Sequence, residues 1–465
     1  MPLILPARTL DSGFEINNSL RFDVSSSPYL SRTPSSSGNR TKFTISVWVK
    51  RSEFDSSRWI FGSGSSSSDD DFLFFSSDNQ LKFYFDSGSS ANLATNRLFR
   101  DPSAWYHIVV AVDTTQGTDS NRIKFYVNGT QETSFETANY PSQNFTTEIN
   151  NSGQVQRIGA RAYSVTGYQG GYISDFYLID GQQLAPTEFG ETNDNGVWIP
   201  KKYSGSYGTN GTHLEFKNSS NLGEATSGND FTATNLTATD QTTDSPTNNW
   251  CTLNPLVPVQ QVPTYSEGNT KVVFKDGGNG CSPCSTFAVN SGKWYFEAKF
   301  VETSVVGRGA IGVGIVDADK YNPYGDADDA FDLESFGYSY TTDGNAKTSG
   351  NDSSFGDEFN SGDIIGVAVD FDNRQIYYSK NGTFQDSGDP TSGASGTGSA
   401  HNFSVGTYYF AVYAYQEENS WEMNFGNAPF SISSGNADAN GYGNFEYAVP
   451  SGYYSLCTKN LAEYG

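Results

Sequence analysis

The chain has 465 residues, and its 28 lysines and arginines against 52 aspartates and glutamates give a formal net charge of −24 at pH 7. So acidic a chain offers no basic surface that could neutralise phosphates, which argues against binding to nucleic acid and against docking on anionic lipid. The mean hydropathy is −0.53, and no run of about 18 apolar residues predicts insertion into a membrane.

Strand patterns dominate the first part of the chain. In the segment 42–50, Phe43, Ile45, Val47 and Val49 alternate with more polar neighbours, which predicts a strand with one core-facing side. Similar strand-like segments lie at 59–62, 71–75, 81–85, 105–113, 123–127 and 171–178. Because turn residues separate these segments and none shows helical spacing, they predict a β-sandwich or jelly roll.

Residues 201–262 differ in composition from the strand-like segments before them, since serine, threonine, asparagine and glycine dominate them. We interpret this segment as a connector. Its apolar residues at 212–216 and Trp250 offer side chains for burial. We therefore expect an ordered connector that packs against its neighbours rather than a free linker.

A second set of strand-like segments follows the connector. The segments 364–370 and 375–379 are joined through Asp372 and Asn373, which predicts a hairpin. The others lie at 293–300, 310–315, 408–413 and 421–425. The predicted fold is therefore all-β with two β-sandwich, jelly-roll-like domains. The predicted boundaries are an N-terminal arm over 1–14, a first sandwich over 15–200, the connector over 201–262, a second sandwich over 263–428 and a C-terminal extension over 429–465.

Both sandwiches carry a family resemblance in short segments. In the first, these segments are FTISVWV at 43–49, WYHIVV at 105–110 and FYVNG at 125–129. They resemble laminin-G-like domains of the concanavalin-A-like lectin/glucanase fold. In the second, they are GKWYFE at 292–297, IGVG at 311–314, FGY at 336–338 and GDIIGVAVD at 362–370. They resemble SPRY domains, so the resemblance implies a laminin-G-like sandwich followed by a SPRY sandwich.

Four further segments narrow this resemblance. They are SLRF at 19–22, IDGQQLAP at 179–186, NNWCTLNPL at 248–256 and SLCTKNL at 455–461. They are similar to segments of tailed-bacteriophage virion proteins, often from marine phages, which join the same two modules in this order. The resemblance implies a protein of the virion surface.

What the resemblance implies about function is binding. We expect a capsid decoration protein or head fibre, or a compact knob attached to the tail, whose lectin-like modules bind host-surface glycans or neighbouring virion proteins. We expect no nucleic-acid partner, no membrane insertion and a homo-oligomer. The alternatives are a tail fibre or other receptor-binding adhesin and, from another class, a depolymerase that cleaves host polysaccharide.

Motifs for catalysis are weak in this chain. Glycanases of this sandwich fold use a strand with the pattern ExDxxE. Glu53 and Asp55 match the first two positions of this pattern, but Arg58 stands where the second glutamate is needed. A GxGxxG pattern at 307–312 is followed by a strand-like segment, whereas dinucleotide binding needs a helix there. His107 lies in an alternating strand, which favours a structural role. We therefore predict that the chain is not an enzyme.

The four cysteines do not predict a disulfide framework or a zinc site. Cys281 and Cys284 form a lone CxxC pattern, and Cys251 and Cys457 lie far away in sequence. Zinc would need a second pair or nearby histidines, of which the chain has three. We favour ordinary loop cysteines over a metal or thiol pair, and we expect no cofactor unless Ca²⁺ is bound.

Acidic residues give the patterns in this sequence that suit a metal. Asp326, Asp328, Asp329 and Asp332 fall in a loop-like stretch between strands, and Ca²⁺ takes several carboxylate and carbonyl oxygens. The spacing does not follow an EF-hand, so both a Ca²⁺ site and a solvated acidic loop stay open. The triplet at 69–71 is a weaker second candidate.

Four tyrosines are candidate ligand contacts. Tyr163 and Tyr168 lie in a glycine-rich loop, and Tyr321 and Tyr324 lie in or beside the acidic stretch. A sugar ring presents C–H groups that pack against an aromatic face, and both families place ligand contacts in loops at the sandwich edge. The alternative is that these side chains pack locally or against another subunit.

Overall fold

The computed structural model describes residues 13–257, 262–275, 282–301, 311–321, 337–348, 351–414 and 419–465. The chain forms two compact units that divide between Asn248 and Asn249, inside the segment predicted as a connector. Regular structure in both units is almost entirely strand, so the predicted all-β class is confirmed. No described helix combines the length and the apolarity that a membrane crossing would need.

The first unit contains two large antiparallel sheets. Sheet A has the order β10-β9-β8-β3-β13-β1-β19, with β16 paired to β13 and β17 to β16. Its strands are β1 (Ser19–Phe22), β3 (Lys42–Arg51), β8 (Trp105–Asp113), β9 (Ile123–Val127), β10 (Thr130–Glu132), β13 (Gly171–Asp180), β16 (Thr212–Leu214), β17 (Ser227–Gly228) and β19 (Gln241–Thr242). A separate hairpin, sheet C, joins β14 (Gly190–Thr192) to β15 (Trp198–Pro200).

Sheet B of the first unit has the order β11-β7-β6-β5-β4-β12-β2-β18. Its strands are β2 (Tyr29–Arg32), β4 (Arg58–Ser66), β5 (Asp69–Phe75), β6 (Gln80–Phe85), β7 (Ala91–Leu98), β11 (Phe135–Asn139), β12 (Gln156–Ile158) and β18 (Thr232–Thr234). One hydrophobic core draws apolar side chains from both sheets, so the first unit is a β-sandwich.

Strand β3 shows where the sequence pattern was right and where it was wrong. Phe43, Ile45, Val47 and Val49 all lie in the core, as their alternation predicts. The opposite side of the strand is also buried, and Trp48 there is only 4% exposed. That side is buried because Phe14, Ile16 and Trp198 of the β14–β15 hairpin pack over sheet A. The prediction of a strand with one buried side is therefore corrected.

The polar segment 201–248 is part of the first unit. Strand β16 pairs with β13, and it brings Leu214 and Phe216 into the core. Strand β18 adds an edge to sheet B, and β19 pairs with β1 in sheet A. The strands are only two or three residues long, so their serine- and threonine-rich sequence shows little alternation.

The second unit is also a two-sheet sandwich. Sheet D has the order β20-β21-β33-β23-β28-β29-β30, with β31 paired to β29, and sheet E has the order β22-β32-β24-β25-β26-β27. The strands of sheet D are β20 (Thr264–Ser266), β21 (Lys271–Val273), β23 (Lys293–Val301), β28 (Ile364–Asp370), β29 (Gln375–Lys380), β30 (Thr383–Phe384), β31 (His401–Asn402) and β33 (Ser420–Asn424). Those of sheet E are β22 (Cys284–Val289), β24 (Ile311–Asp317), β25 (Gly337–Thr341), β26 (Asn345–Thr348), β27 (Asn351–Ser354) and β32 (Tyr408–Ala414).

The C-terminal residues 429–465 pack onto the second unit. Phe445 and Tyr453 are buried against Tyr295 and Tyr377 of sheet D. The chain ends in the helix α1 (Thr458–Tyr464). Isolated 3-10 turns occur at Val24–Ser26, Asp86–Gly88, Asp119–Asn121, Pro186–Glu188, Ala238–Asp240, Glu267–Asn269, Gln385–Ser387 and Gly393–Ser395.

Candidate functional site

The face of sheet B that points away from the core carries a cluster of aromatic side chains. In β5, Leu73 and Phe75 lie in the core, so the alternation of a strand places Phe72 and Phe74 on the opposite face. The register sets Trp59 beside Phe74 and Tyr84 beside Phe72. We call Trp59, Phe72, Phe74 and Tyr84 the aromatic quartet, and this side of the sheet the outer face.

The four rings of the quartet contact one another directly. Trp59 stacks on Phe74 with 5.1 Å between ring centroids and 15° between the planes. Phe72 meets the edge of Phe74 at 5.0 Å, and Tyr84 lies 5.3 Å from Phe72. Such pairs contribute about 0.5–1.5 kcal/mol each beyond the area they bury. Phe72 and Phe74 are buried while Trp59 and Tyr84 remain half-exposed, so the quartet forms a firm surface.

Arg161, in the glycine-rich loop 159–170, lies on this surface. Its guanidinium carbon is 4.9 Å from the ring centroid of Phe72 and 5.6 Å from that of Trp59. Its Nε donates to Oδ2 of Asp70 at 2.6 Å, and Nη2 donates to Oγ of Ser87 at 3.1 Å. Burial raises the pKa of the Asp70 carboxyl above its ordinary value, and the bond from Arg161 opposes that shift. Cation–π contact and ion pair together hold Arg161 in place.

Tyr163 lies next to Arg161 and is the most accessible aromatic residue of this region. The Arg161 guanidinium carbon is 4.8 Å from its ring centroid, and 36% of the residue is exposed. Arg161 thus links the exposed ring of Tyr163 to the buried ring of Phe72. The arrangement presents one ordered aromatic ring, that of Tyr163, to solvent, and an accessible aromatic ring can pack against the C–H groups of a sugar.

Tyr168 and Gly167 hold the same loop in place. The Tyr168 hydroxyl donates to the carbonyl oxygen of Val165 at 2.7 Å, so this tyrosine closes the loop rather than presenting its hydroxyl to a ligand. The backbone N–H of Trp59 donates to the carbonyl oxygen of Gly167 at 3.0 Å. A Cβ on Gly167 would lie 2.0 Å from the Trp59 ring, and its φ is +62°, so only glycine allows this close approach.

Tyr321, in the second unit, is held by its own unit. Its hydroxyl donates to the carbonyl oxygen of Ser282 at 2.5 Å, and its ring packs against a small cluster that includes Tyr409. Local packing, which the sequence analysis gave as the alternative to a ligand contact, therefore accounts for the position of this side chain. Outside the described residues lie Tyr324, the predicted Ca²⁺ ligands Asp326, Asp328, Asp329 and Asp332, Cys281, and the GxGxxG glycines at 307 and 309.

The carboxylates of the acidic triplet 69–71 accept hydrogen bonds from other groups of the protein. Asp70 pairs with Arg161, and Ser66 Oγ donates to Asp69 at 2.8 Å. Asp71 accepts backbone N–H bonds from Asp86 and Glu148, and burial raises the pKa of its carboxyl well above the ordinary value. Within the described ranges, no group of three or more histidine, cysteine, aspartate and glutamate side chains is arranged to hold a metal ion.

His107 is a packing residue in this structure. Trp198 Nε1 donates to its Nδ1 at 2.9 Å, and Nε2 lies 2.9 Å from the Ser46 hydroxyl. Its ring stacks on Trp48 at 4.7 Å. Burial lowers the pKa of His107 to about 3, so the ring is neutral at pH 7 and both nitrogens are occupied. These contacts leave no nitrogen free for acid–base catalysis.

The cysteines that the structure describes are buried thiols. Cys251, Cys284 and Cys457 are free of disulfide bonds. Cys284 lies in strand β22 rather than in a loop, which corrects the prediction for this residue. Burial raises the pKa of its thiol to about 12, so it is protonated and unreactive at neutral pH.

The sequence prediction named Tyr163 but not the aromatic quartet behind it. The run of apolar residues at 72–75 was a usable signal, because a strand with apolar residues on both sides has both faces covered. Arg161 had no such signal. Its role depends on the path of a loop and on the register of two strands, and neither can be predicted from the residues next to it in sequence.

Two family models match the chain, in the predicted order. The model of the concanavalin A-like lectin/glucanases superfamily matches residues 25–188, and the SPRY domain model matches residues 293–428. A concanavalin A-like domain and a SPRY domain are therefore both present, as the sequence segments predicted. Both are folds of the binding type, and the aromatic quartet and the loop 159–170 lie within the first match.

Among curated proteins, the chain is similar to the Ran-binding proteins 9/10 homolog of Drosophila melanogaster, with 31% identity over 125 residues. The match takes in 25% of this chain and 12% of that protein, so the chain spans about an eighth of its relative. Among solved structures, the SPRY domain of human HERC1 is 16% identical, with coverage of 37% of this chain and 96% of that chain and a TM-score of 0.27. A heptameric SAP-like pentraxin from Limulus polyphemus is 18% identical, with coverage of 37% and 80% and a TM-score of 0.27.

Proposed function

We propose that this chain is a non-catalytic protein of a bacteriophage virion surface, either a capsid decoration protein or head fibre or a compact knob on the tail. Its partners would be host-surface glycans, neighbouring virion proteins and further copies of itself. The placement on a virion rests on one resemblance: the order of the two domains and the four segments are similar to those of tailed-phage virion proteins. The net charge of −24 would keep particles soluble and mutually repulsive.

Two of those four segments, at 248–256 and 455–461, are hydrogen-bonded to each other. The backbone N–H of Cys251 donates to the carbonyl oxygen of Leu456 at 3.0 Å, and Thr458 N–H donates to the carbonyl oxygen of Asn249 at 2.9 Å. Trp250 and Cys457 form an isolated β-bridge between these bonds. The two segments are therefore bound to each other although a whole domain separates them in sequence.

The observation that carries glycan binding is the position of Tyr163. Its ring is accessible, and Arg161 fixes it against Phe72 of the quartet. A fixed aromatic ring loses little conformational freedom when a sugar stacks on it, so more of the stacking energy appears as affinity. Each site would be shallow and weak, and display of many copies on one particle would raise the overall affinity by avidity.

Replacing Tyr163 with alanine should reduce glycan binding. We expect the affinity for a bacterial surface polysaccharide to fall roughly five- to thirty-fold, which corresponds to about 1–2 kcal/mol for one stacked ring. The measurement is titration of the full chain against a microarray of bacterial surface polysaccharides, followed by calorimetry on the best binder. Tyr163→Phe is the matched control, since it keeps the ring and should keep the affinity. Equal affinities for Tyr163→Ala and the unmodified chain would contradict glycan binding at this face.

A further inference from the structure

A groove lies along one edge of sheet B, in a part of the chain that neither family model matches. Strand β18 is the last strand on this side of the sheet, and the groove beside it has a volume of about 510 Å³. Pockets that bind small molecules have volumes of about 300–1,000 Å³. The lining comes from three short stretches, at 219–222, 230–233 and 236–238. We call this feature the edge groove.

The edge groove is open to solvent at its rim and apolar at its floor. Its exposed polar residues are Ser219, Ser220, Asn221, Asp230, Thr232 and Thr237. Ala233 and Leu236 are partly exposed and pack against the core, whereas Leu222 and Phe231 lie deeper, at 4% and 3% exposure. A ligand can therefore reach hydroxyl, amide and carboxylate groups at the rim, and the aliphatic carbons of Ala233 and Leu236 between them.

Hydrogen bonds hold the two walls of the edge groove in place. On one wall, the backbone N–H of Asn221 donates to the carbonyl oxygen of Asn218 at 3.1 Å, and that of Ser220 donates to Asn218 Oδ1 at 3.0 Å. On the other wall, the N–H of Thr237 donates to Asp240 Oδ2 at 2.7 Å. Because the backbone of both walls is already ordered, a ligand loses little affinity to the ordering of the site.

The charge of the edge groove argues against an anionic ligand. Asp230 is the one charged residue among the described residues of the lining. Its Oδ1 accepts the backbone N–H of Ala225 at 2.9 Å, and Oδ2 has no protein donor in the described part of the chain. A carboxylate oxygen held in this way can accept further hydrogen bonds from hydroxyl groups. An anion would be repelled by Asp230 and by a chain whose net charge is −24.

A peptide strand added to β18 is the other occupant that a sheet edge suggests. Strand β18 is only three residues long, and very short edge strands are one of the features by which proteins prevent strand addition. Such a strand would gain few backbone hydrogen bonds here. The polar side chains of the rim instead match a ligand that carries many hydroxyl groups, and the apolar floor matches the C–H groups of the same ligand.

We infer that the edge groove binds a neutral oligosaccharide, whose hydroxyl groups hydrogen-bond to Asp230 and Asn221 while its C–H groups pack against Leu236. This site goes beyond the proposed function, which places glycan binding at Tyr163. Strand β18 is three strands from β4, which carries Trp59 of the quartet, and three strand spacings amount to about 14 Å. The edge groove is therefore a second site that can be tested separately.

The test compares short sugars of different charge. The probes are neutral tetrasaccharides of glucose, galactose and mannose, with tetragalacturonate as the acidic probe and the glucosamine tetramer as the cationic probe, each titrated into the full chain by calorimetry. We expect at least one neutral tetrasaccharide to bind with a Kd of about 1 mM or tighter, and at least about ten-fold more tightly than tetragalacturonate. It should slow hydrogen exchange over residues 219–238.

Three results of this comparison would overturn the inference. The first is that no neutral tetrasaccharide binds. The second is that one binds but leaves hydrogen exchange over residues 219–238 unchanged. The third is that tetragalacturonate or the glucosamine tetramer binds more tightly than every neutral sugar.

An Asp230→Asn variant connects the binding to the edge groove. We expect the affinity for the neutral tetrasaccharide to fall roughly five- to ten-fold, because an amide replaces the charged acceptor while it keeps an oxygen for the N–H of Ala225. Asp194→Asn is the matched control: Asp194 is exposed in the loop between β14 and β15, and its substitution changes the net charge equally. Equal affinities for the two variants would contradict a role of Asp230 in the site.

A Tyr163→Ala variant separates this inference from the proposed function. If the sugar still protects residues 219–238 in this variant, the edge groove binds independently of Tyr163. If Tyr163→Ala abolishes glycan binding, and no sugar protects residues 219–238 in the unmodified chain, the proposed function stands and the edge groove fails. Protection of residues 219–238 that grows with protein concentration, without sugar, would identify a second copy of the chain as the occupant and would also overturn the inference.

Discussion

Replacing Asp244 with alanine should lower the free energy of unfolding of the first unit by about 3–5 kcal/mol. Asp244 Oδ2 lies 2.8 Å from Lys50 Nζ, and both side chains are only 1% exposed. Its other oxygen accepts from Trp105 Nε1 at 3.0 Å. The substitution leaves a buried ammonium and a buried indole N–H without this carboxylate, and the loss of a partner from a buried pair costs far more than the pair itself contributes.

The matched control for this variant is Asp55→Ala. Asp55 pairs with Arg58 at 3.5 Å, but its side chain is 81% exposed, so its removal should change the unfolding free energy by less than about 1 kcal/mol. Denaturant unfolding of the full chain, with hydrogen exchange measured on peptides from each unit, separates the two units. If Asp244→Ala costs no more than Asp55→Ala, the buried pair does not hold residues 241–245 in the first unit.

Replacing Glu297 with alanine should destabilise the second unit by about 3–5 kcal/mol, since each buried donor left unpaired costs about 1–3 kcal/mol. Glu297 is fully buried. Its carboxylate accepts the backbone N–H groups of Glu446 and Tyr447 at 2.9 and 2.8 Å, and Asn424 Nδ2 at 3.0 Å. The Tyr295 hydroxyl is a fourth donor at 3.3 Å. This one side chain therefore fastens the C-terminal segment to sheet D.

Hydrogen exchange over residues 430–447 measures this effect directly. Exchange there should accelerate in Glu297→Ala, and Glu297→Gln should not restore protection, because an amide placed in either orientation points its NH₂ group at an N–H donor. Glu463→Ala, at an exposed position of α1, is the control and should change stability by less than about 0.5 kcal/mol. Unchanged exchange in both Glu297 variants would refute the fastening role.

The titration of Glu297 gives the same prediction a pH dependence. Burial raises the pKa of its carboxyl above the ordinary value of 4.5. At a pH between 4.5 and the raised pKa of the folded state, the folded state holds a proton that the unfolded state has released. The unfolding free energy of the second unit should therefore fall as the pH rises through this range. Glu297→Gln removes the titrating group, and the stability of that variant should depend less on pH in this range.

Strand β3 illustrates how far a sequence pattern reaches. The alternation of Phe43, Ile45, Val47 and Val49 predicted which side faces the core, because period-two burial is a local property of a strand. The burial of the opposite side was not predictable in this way. It depends on other segments of the chain: residues 14 to 16, and Trp198, which packs over sheet A and donates to His107.

The polar segment 201–248 and the C-terminal residues show the limit for domain boundaries. Composition shows where one type of sequence gives way to another. It does not show which segments pair, and β16 with β13 and Trp250 with Cys457 pair although they are distant in sequence. Short strands contribute only a few buried side chains each, so they have little pattern of their own. Their position is decided by the sheets that they join.

The candidate site was partly predictable for the same physical reason. Tyr163 could be proposed from its glycine-rich loop, because loops at the surface often carry binding residues. Arg161 was not singled out, because its role depends on the ring of Phe72, which only the strand register brings beside it. Sequence reasoning finds the residue type, while strand register decides which residues act together.

Immunogold labelling of intact phage particles, with antibodies raised against the full chain, tests the proposed function most directly. We predict gold label on the particle surface: label spread over the head would identify a capsid decoration protein or head fibre, and label confined to the tail would identify a tail-attached knob engaged in receptor binding. Particles that carry no label, while the same antibodies detect the purified chain, would contradict a role on the virion surface.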